Sequence, residues 1–127
     1  MSDQGLGRSV RRTEDVRLLN GRGRFIDDFQ PDGLTRHAAI LRSPHSHARI
    51  IRVDASRALE LPGVITVLTP DDVLAWANPF PVGVERPPAY YALATDRARF
   101  VGEPVAVVVA RTRYEAEDAL DLIEVEY

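Results

Sequence analysis

Apolar residues fall into two rhythms along this sequence. In "RTRYEAEDALDLI", Ala116, Ala119, Leu120 and Ile123 stand at i, i+3, i+4 and i+7, the spacing of one helix face. Thr112 and Glu115 just ahead read as a capping box. In "EPVAVVVA" the run Val105 to Val109 is apolar throughout, the pattern of a strand covered on both faces, with Pro104 at its tolerated first position. Arg36 to Leu41 and His47 to Val53 read as two further strands. "RSPHS" joins them, where Pro44 fixes φ and removes a ladder N–H. Val64 to Leu68, "VITVL", reads as a compact strand.

Polar punctuation places the short helices. "RTEDVRLLNGRG" predicts one with Thr13 as N-cap, Glu14 and Asp15 in the first turn and Gly21 at C′. "RFIDDFQPDGL" predicts an extended piece and a turn at Pro31, Asp32 and Gly33. "DASRALELPGV" predicts a helix starting near Asp54 and stopped by Pro62 and Gly63. "TPDDVLAWA" predicts another, with Thr69 capping, Pro70 first and Asp72 completing a capping box. No internal repeat interrupts the series. The alternation predicts an α+β (mixed α/β) fold with a mixed sheet and short packing helices. We expect a single domain over 1–127, with 1–12 an extended arm and 76–92 a proline-rich loop.

Composition narrows the chemistry. A chain of 127 residues is long enough to bury a core of its own. With no cysteine, disulfides, Cys-ligated zinc, Cys-ligated iron–sulfur clusters and thiol nucleophiles are excluded. Every one of the 16 basic residues is arginine, so Schiff-base lysines and a Walker lysine are excluded as well. The net charge is −3, with arginines concentrated before Phe25 and acids after Gly102. Acids interrupt the basic part and aromatics are missing from it, so nucleic-acid binding is not expected. No apolar run approaches the ~20 residues of a membrane span, and "MSDQGLGRSVRR" lacks the apolar core of a secretory signal. The expected location is cytoplasmic, without membrane insertion.

The stretch that draws attention is "LRSPHSHARI", Leu41 to Ile50. On a strand, His45 and His47 would share a face roughly 7 Å apart, a chelating distance. A zinc site would still need a third ligand, for which His37 and Asp54 are the candidates. The plainer reading is a turn with hydrogen-bonded imidazoles. Ser43 or Ser46 with His47 lacks the G-x-S-x-G elbow of a nucleophilic serine. The glycine pairs at Gly5–Gly7 and Gly21–Gly23 lack the strand before and helix after that a dinucleotide site requires. In "FVGEPVAVVVA", Gly102 permits an unusual backbone angle and Glu103 is placed to hydrogen-bond across the turn. Trp76, Phe80, Tyr90 and Tyr91 lie among Pro79, Pro81, Pro87 and Pro88, an arm suited either to a partner or to the domain's own core.

Taken in order, "RRTEDVRLLNGRGRFIDDF", "ILRSPHSHARIIRVDASRALELPGVITVLTPDD" and "ALATDRARFVGEPVAVVVARTRYEAEDALDLIEVEY" resemble one known family. It is the N-terminal α/β-hammerhead domain of the molybdenum-binding large subunit of the xanthine dehydrogenase/aldehyde oxidase/aerobic carbon monoxide dehydrogenase family. The likeness runs from about Gly7 to Tyr127.

The resemblance implies a structural and assembly role within a molybdenum hydroxylase, not catalytic alone. The complete enzyme would oxidise aldehydes, N-heterocycles or carbon monoxide. It implies a molybdenum–pterin cofactor, iron–sulfur clusters and FAD for that enzyme, none held by this chain. Its partners would be downstream molybdenum-binding domains and FAD and iron–sulfur subunits; a homodimer is the further possibility. No catalytic, cofactor or metal residue is carried over. Arg42, Ser43, His47, Gly102, Glu103, Pro104, Trp76 and Phe80 are expected to be structural or interface residues. Ser43 and His47 are expected to hold turn backbone, and Arg42 or Arg49 to pair with acids. The alternative is a free-standing interaction module. A piece of a larger subunit should expose a contiguous apolar patch, whereas a module should be polar there or covered by a second copy.

Overall fold

The structure, a computed structural model, describes residues 7, 9, 11–29, 33, 35–81, 83–85 and 89–127. Pro31 and Asp32 of the expected turn, Gly5 of the first glycine pair, and much of the 1–12 arm and of Val82–Pro88 lie outside them. The chain falls into two units, Met1–Leu34 and Thr35–Tyr127.

The first unit holds helix α1 (Asp15–Leu19) and a 3-10 turn at Ile26–Asp28. The helix begins one residue later than expected: Glu14 is the N-cap, and no side chain caps it. Its end is as the sequence implies. Gly21 takes φ +66°, with Gly21 N–H on the Leu18 carbonyl (3.2 Å) and Arg22 N–H on Arg17 (2.8 Å), the bond pair of a Schellman motif. The 3-10 turn replaces the extended piece because the Asp28 carboxylate accepts the Phe25 N–H (2.9 Å) and curls the chain locally.

The second unit is built on a three-stranded sheet, in the order β1-β6-β4. Its strands are β1 (His37–Arg42), β4 (Val64–Leu68) and β6 (Pro104–Ala110). Two small ladders flank it: β2 (Ala48–Arg49) with β5 (Arg97–Ala98), and β3 (Arg52–Asp54) with β7 (Glu124–Glu126). The single strand expected over His47 to Val53 is therefore divided. Ile50 and Ile51 lie between the pieces, with Ile50 N–H bonded to the Asp96 carbonyl and Ile51 N–H to Glu126. The fold class is α+β as expected, but every ladder among the described residues is antiparallel and the sheet is not mixed. β1 and β4 run the same way only because each pairs with β6 from opposite sides.

Three helices complete the unit: α2 (Ser56–Leu59), α3 (Pro70–Trp76) and α4 (Arg113–Leu120). The Asp54 carboxylate accepts the Ser56 N–H (3.0 Å) at the start of α2. At α3 the Asp72 carboxylate accepts both the N–H and the hydroxyl of Thr69 (2.8 Å each). At α4 the capping box is reciprocal: Glu115 N–H bonds the Thr112 hydroxyl oxygen (3.2 Å), and Glu115 accepts the Thr112 N–H (2.9 Å). Ile123 lies beyond the end of α4 yet is buried with its stripe.

The core is made largely of small residues. Ala116 and Ala119 of α4 meet Ala39, Ala106, Val108 and Ala110 of the sheet, with Ala58 and Val67 beside them. Such side chains let a helix lie close on a sheet, and close contact in turn maximises dispersion attraction. Helices cover this face alone. Val107 and Val109, on the opposite face of β6, stay half-buried, so the two-sided cover expected of "VAVVVA" is not supplied by the described residues.

Candidate functional site: a clasp between two turns

The two signature stretches meet at one end of the main sheet. β1 and β6 lose register between Leu41 and Arg42, leaving Val105 as an extra, fully buried residue on β6. Past this bulge the backbones stay joined: Ser43 N–H bonds the Glu103 carbonyl (2.9 Å) and Gly102 N–H bonds the Ser43 carbonyl (2.8 Å). Glu103 N–H closes a turn onto the Phe100 carbonyl (3.2 Å), with Gly102 third in that turn at φ +89°. A positive φ there is the requirement of a type II turn and the reason for glycine.

Side chains reinforce the junction. The Arg42 guanidinium donates to the Gly102 carbonyl (2.8 Å) and pairs with no acid among the described residues. The Ser43 hydroxyl oxygen accepts the His45 N–H (3.1 Å), holding the turn after Pro44. The His45 ring meets the ring of Tyr127 edge-on, with centroids 4.6 Å apart. Pro104 offers its carbonyl to Ala94 N–H (2.8 Å).

Glu103 occupies the inner position. It and Ser43 are the buried polar residues among those described, each 2% exposed. One carboxylate oxygen of Glu103 accepts the Arg99 N–H, and the other lies 3.7 Å from the Arg99 guanidinium. Arg99 also bonds Asp96 (2.7 Å) and the Arg97 carbonyl (3.0 Å). Desolvation works to raise the pKa of Asp96, but hydrogen bonds and charges from Arg97 and Arg99 outweigh it and hold the carboxyl below its ordinary value. An acid depressed in the folded state stabilises above its unfolded pKa, and that stability drains as pH falls through the folded value. Asp96→Asn should therefore lower Tm at neutral pH, and the loss should shrink at acid pH, as the pH falls below the ordinary carboxylate value toward the depressed one. Equal losses at both pH values would count against the ion pair.

The expected residues thus divide. Arg42, Ser43, Gly102, Glu103 and Pro104 come together in the clasp. His47 is exposed and makes no hydrogen bond among the described residues, so Ser43 alone of that pair holds turn backbone. Trp76 is exposed at the end of α3. Phe80 is exposed too, with its N–H on the Tyr90 carbonyl (2.7 Å) and its ring 6.0 Å from that of Tyr90. Arg49 makes no ion pair among the described residues. Asp96 and Arg99 were missed in the sequence; the only signal was their spacing to each other and to Glu103 in "DRARFVGE".

The clasp is arranged to hold backbone. Glu103 has no open side toward a substrate. A cleft of about 170 Å³, lined by residues 50–53, 69–71 and 95 with Arg52 and Asp71 among them, contains neither Glu103 nor a histidine. Among the described residues every buried side-chain nitrogen or oxygen already has a partner, and no three His, Asp or Glu side chains converge as ligands of a metal ion. No helix among the described residues is long and apolar enough to cross a membrane.

Known proteins resemble this chain in sequence and fold. The family model described as aldehyde oxidase and xanthine dehydrogenase, a/b hammerhead domain, matches residues 20–127. The nicotine 6-hydroxylase large subunit of Paenarthrobacter nicotinovorans is 43% identical over 95% of this chain, which covers 15% of that subunit. Among solved structures, quinoline 2-oxidoreductase from Pseudomonas putida 86 superposes with a TM-score of 0.84 at 48% identity, over 95% of this chain and 16% of its own. The Cu,Mo-CO dehydrogenase does so at 0.78 and 35% identity, over 98% of this chain and 15% of its own. This chain therefore spans about one-sixth of the length of these relatives.

Proposed function

The chain belongs to the aldehyde oxidase and xanthine dehydrogenase family as its a/b hammerhead domain, and we propose that it is a structural, assembly-forming piece of a cytoplasmic molybdenum hydroxylase large subunit. It turns over no substrate alone. The observation that carries this reading is the use made of its buried polar groups: the Ser43 hydroxyl and the Glu103 carboxylate each accept a backbone N–H of their own turn, while the backbones of the same two residues join the turns. A general base must come within reach of a substrate proton, and the Glu103 carboxylate, only 2% exposed and turned onto the Arg99 N–H and guanidinium, does not.

In the complete enzyme the molybdenum–pterin cofactor, iron–sulfur clusters and FAD would belong to other domains and subunits, with the molybdenum-binding domains as the immediate neighbours. Substrates would be of the class of aldehydes, N-heterocycles or carbon monoxide. The test is a chimera in which this chain replaces the matched segment of the nicotine 6-hydroxylase large subunit. It should accumulate as a soluble, molybdenum-containing protein, while the free chain should oxidise neither nicotine, quinoline nor carbon monoxide with an artificial acceptor. Turnover by the free chain, or a chimera without molybdenum, would sink the reading.

A further inference from the structure

We propose that the uncovered face of the three-stranded sheet is where the molybdenum-binding remainder of a large subunit docks, an inference that rests on the function proposed above. The register defines this face. Ile40, Val107 and Leu68 form one row across β1, β6 and β4, and Ala38, Val109 and Thr66 form the next. Paired residues of antiparallel strands share a face, so these six side chains make one contiguous, uncharged surface. On the other face Ala39, Val108 and Val67 form the row that α4 covers.

Apart from Thr66 the uncovered rows are as apolar as the covered one, yet water reaches them. Ile40 is 40% exposed, Ala38 is exposed, and the other four are half-buried. Solvent-facing antiparallel sheets ordinarily alternate to polar residues on that side. A strand reading Val-Ala-Val-Val-Val-Ala is built for layers on both sides, and the described residues supply only one.

Two observations select the occupant. The relatives carry some six times this length of chain in the same polypeptide, so a covering layer is at hand without the entropy cost of bringing in a second molecule. The face is also small. Three strands by five residues give about 14 by 17 Å, or roughly 240 Å². A stable association between separate molecules buries about 800 Å² per partner, so a second copy would not be held there. The occupant is an apolar helix or sheet face of the large subunit itself.

The experiment pairs Ile40→Arg with Val109→Arg in the free chain and in the nicotine 6-hydroxylase chimera. The free chain should remain monomeric, with Tm within a few degrees of the parent, because both side chains already meet water. The substituted chimera should lose at least tenfold in soluble yield and molybdenum content. If it keeps molybdenum within twofold of the unsubstituted chimera, the docking face is wrong while the assembly role stands. A free chain that is dimeric until the arginines are introduced assigns the face to a second copy and overturns the proposal. Failure of the unsubstituted chimera to take up molybdenum overturns the assembly role and the docking with it. Should the arginines unfold the free chain, Ile40→Thr with Val109→Thr replaces them, with a threefold loss in the chimera expected and no loss overturning the proposal.

Discussion

Replacing Gly63 by alanine is expected to destabilise the domain by about 3 kcal/mol, for two reasons that act together. Gly63 sits at φ +95°, where a Cβ costs roughly 1–2 kcal/mol. The added carbon would also lie 2.1 and 2.6 Å from the two carboxylate oxygens of Glu115. An unengaged glutamate would swing away at little cost. This one accepts both the N–H and the hydroxyl of Thr112 (2.9 Å each) and so caps α4. Moving it opens the capping box, a loss of about 1 kcal/mol. The Gly63 carbonyl also accepts the Arg111 N–H (3.0 Å), so the turn before β4 is fixed against the start of α4. Urea denaturation should give the loss directly, and a double-mutant cycle should expose its cause. Thr112→Ala should cost about 1 kcal/mol alone and little more in the Gly63→Ala background. Full additivity would mean that Glu115 keeps its cap and that only backbone strain is being measured.

That coupling is of a kind the sequence does not display. Local devices were legible: the Thr69–Asp72 and Thr112–Glu115 boxes, β4 over Val64–Leu68, and the glycine at the end of α1 all follow from residues within four of each other. The division of His47 to Val53 was not, because the break is imposed by partners far along the chain. β2 takes β5 and β3 takes β7, and neither choice leaves a trace in local hydrophobicity. The all-antiparallel pairing was hidden for the same reason. A strand, a helix and a strand in succession suggest a parallel pair, but β6, which begins only at Pro104, enters between β1 and β4. The run at Val105 to Val109 carried more information than the isolated fold uses. It is the one place where the sequence implies a layer that the described residues do not contain. In the clasp, Gly102 and Glu103 stood out by type, whereas the roles of Arg99 and Asp96 depended on the turn bringing a backbone N–H and a guanidinium to the same carboxylate.

Glu103→Ala should cost about 3 kcal/mol, and comparison with Glu103→Gln decides which of its interactions matters. Truncation leaves the Arg99 N–H without its acceptor in a buried turn, a penalty of about 1–3 kcal/mol. It also empties the volume of a side chain only 2% exposed, which adds a cavity cost of about 1–2 kcal/mol. The lost ion pair contributes least. The Arg99 side chain is 31% exposed and keeps Asp96 as a partner, so its charge is not stranded. Glutamine preserves shape and an amide oxygen for the Arg99 N–H, and its cost should stay near 1 kcal/mol. If glutamine proves as damaging as alanine, charge pairing and not the backbone hydrogen bond holds the clasp. The same pair of variants separates structure from chemistry in the assembled enzyme. On the proposed reading, Glu103→Ala in the chimera lowers yield and molybdenum content together, while kcat per bound molybdenum is unchanged for both variants. A fall in kcat per molybdenum with glutamine, at normal molybdenum content and Tm, would instead place this carboxylate within reach of the reaction, where a buried acid held only by backbone and arginine has no reason to be.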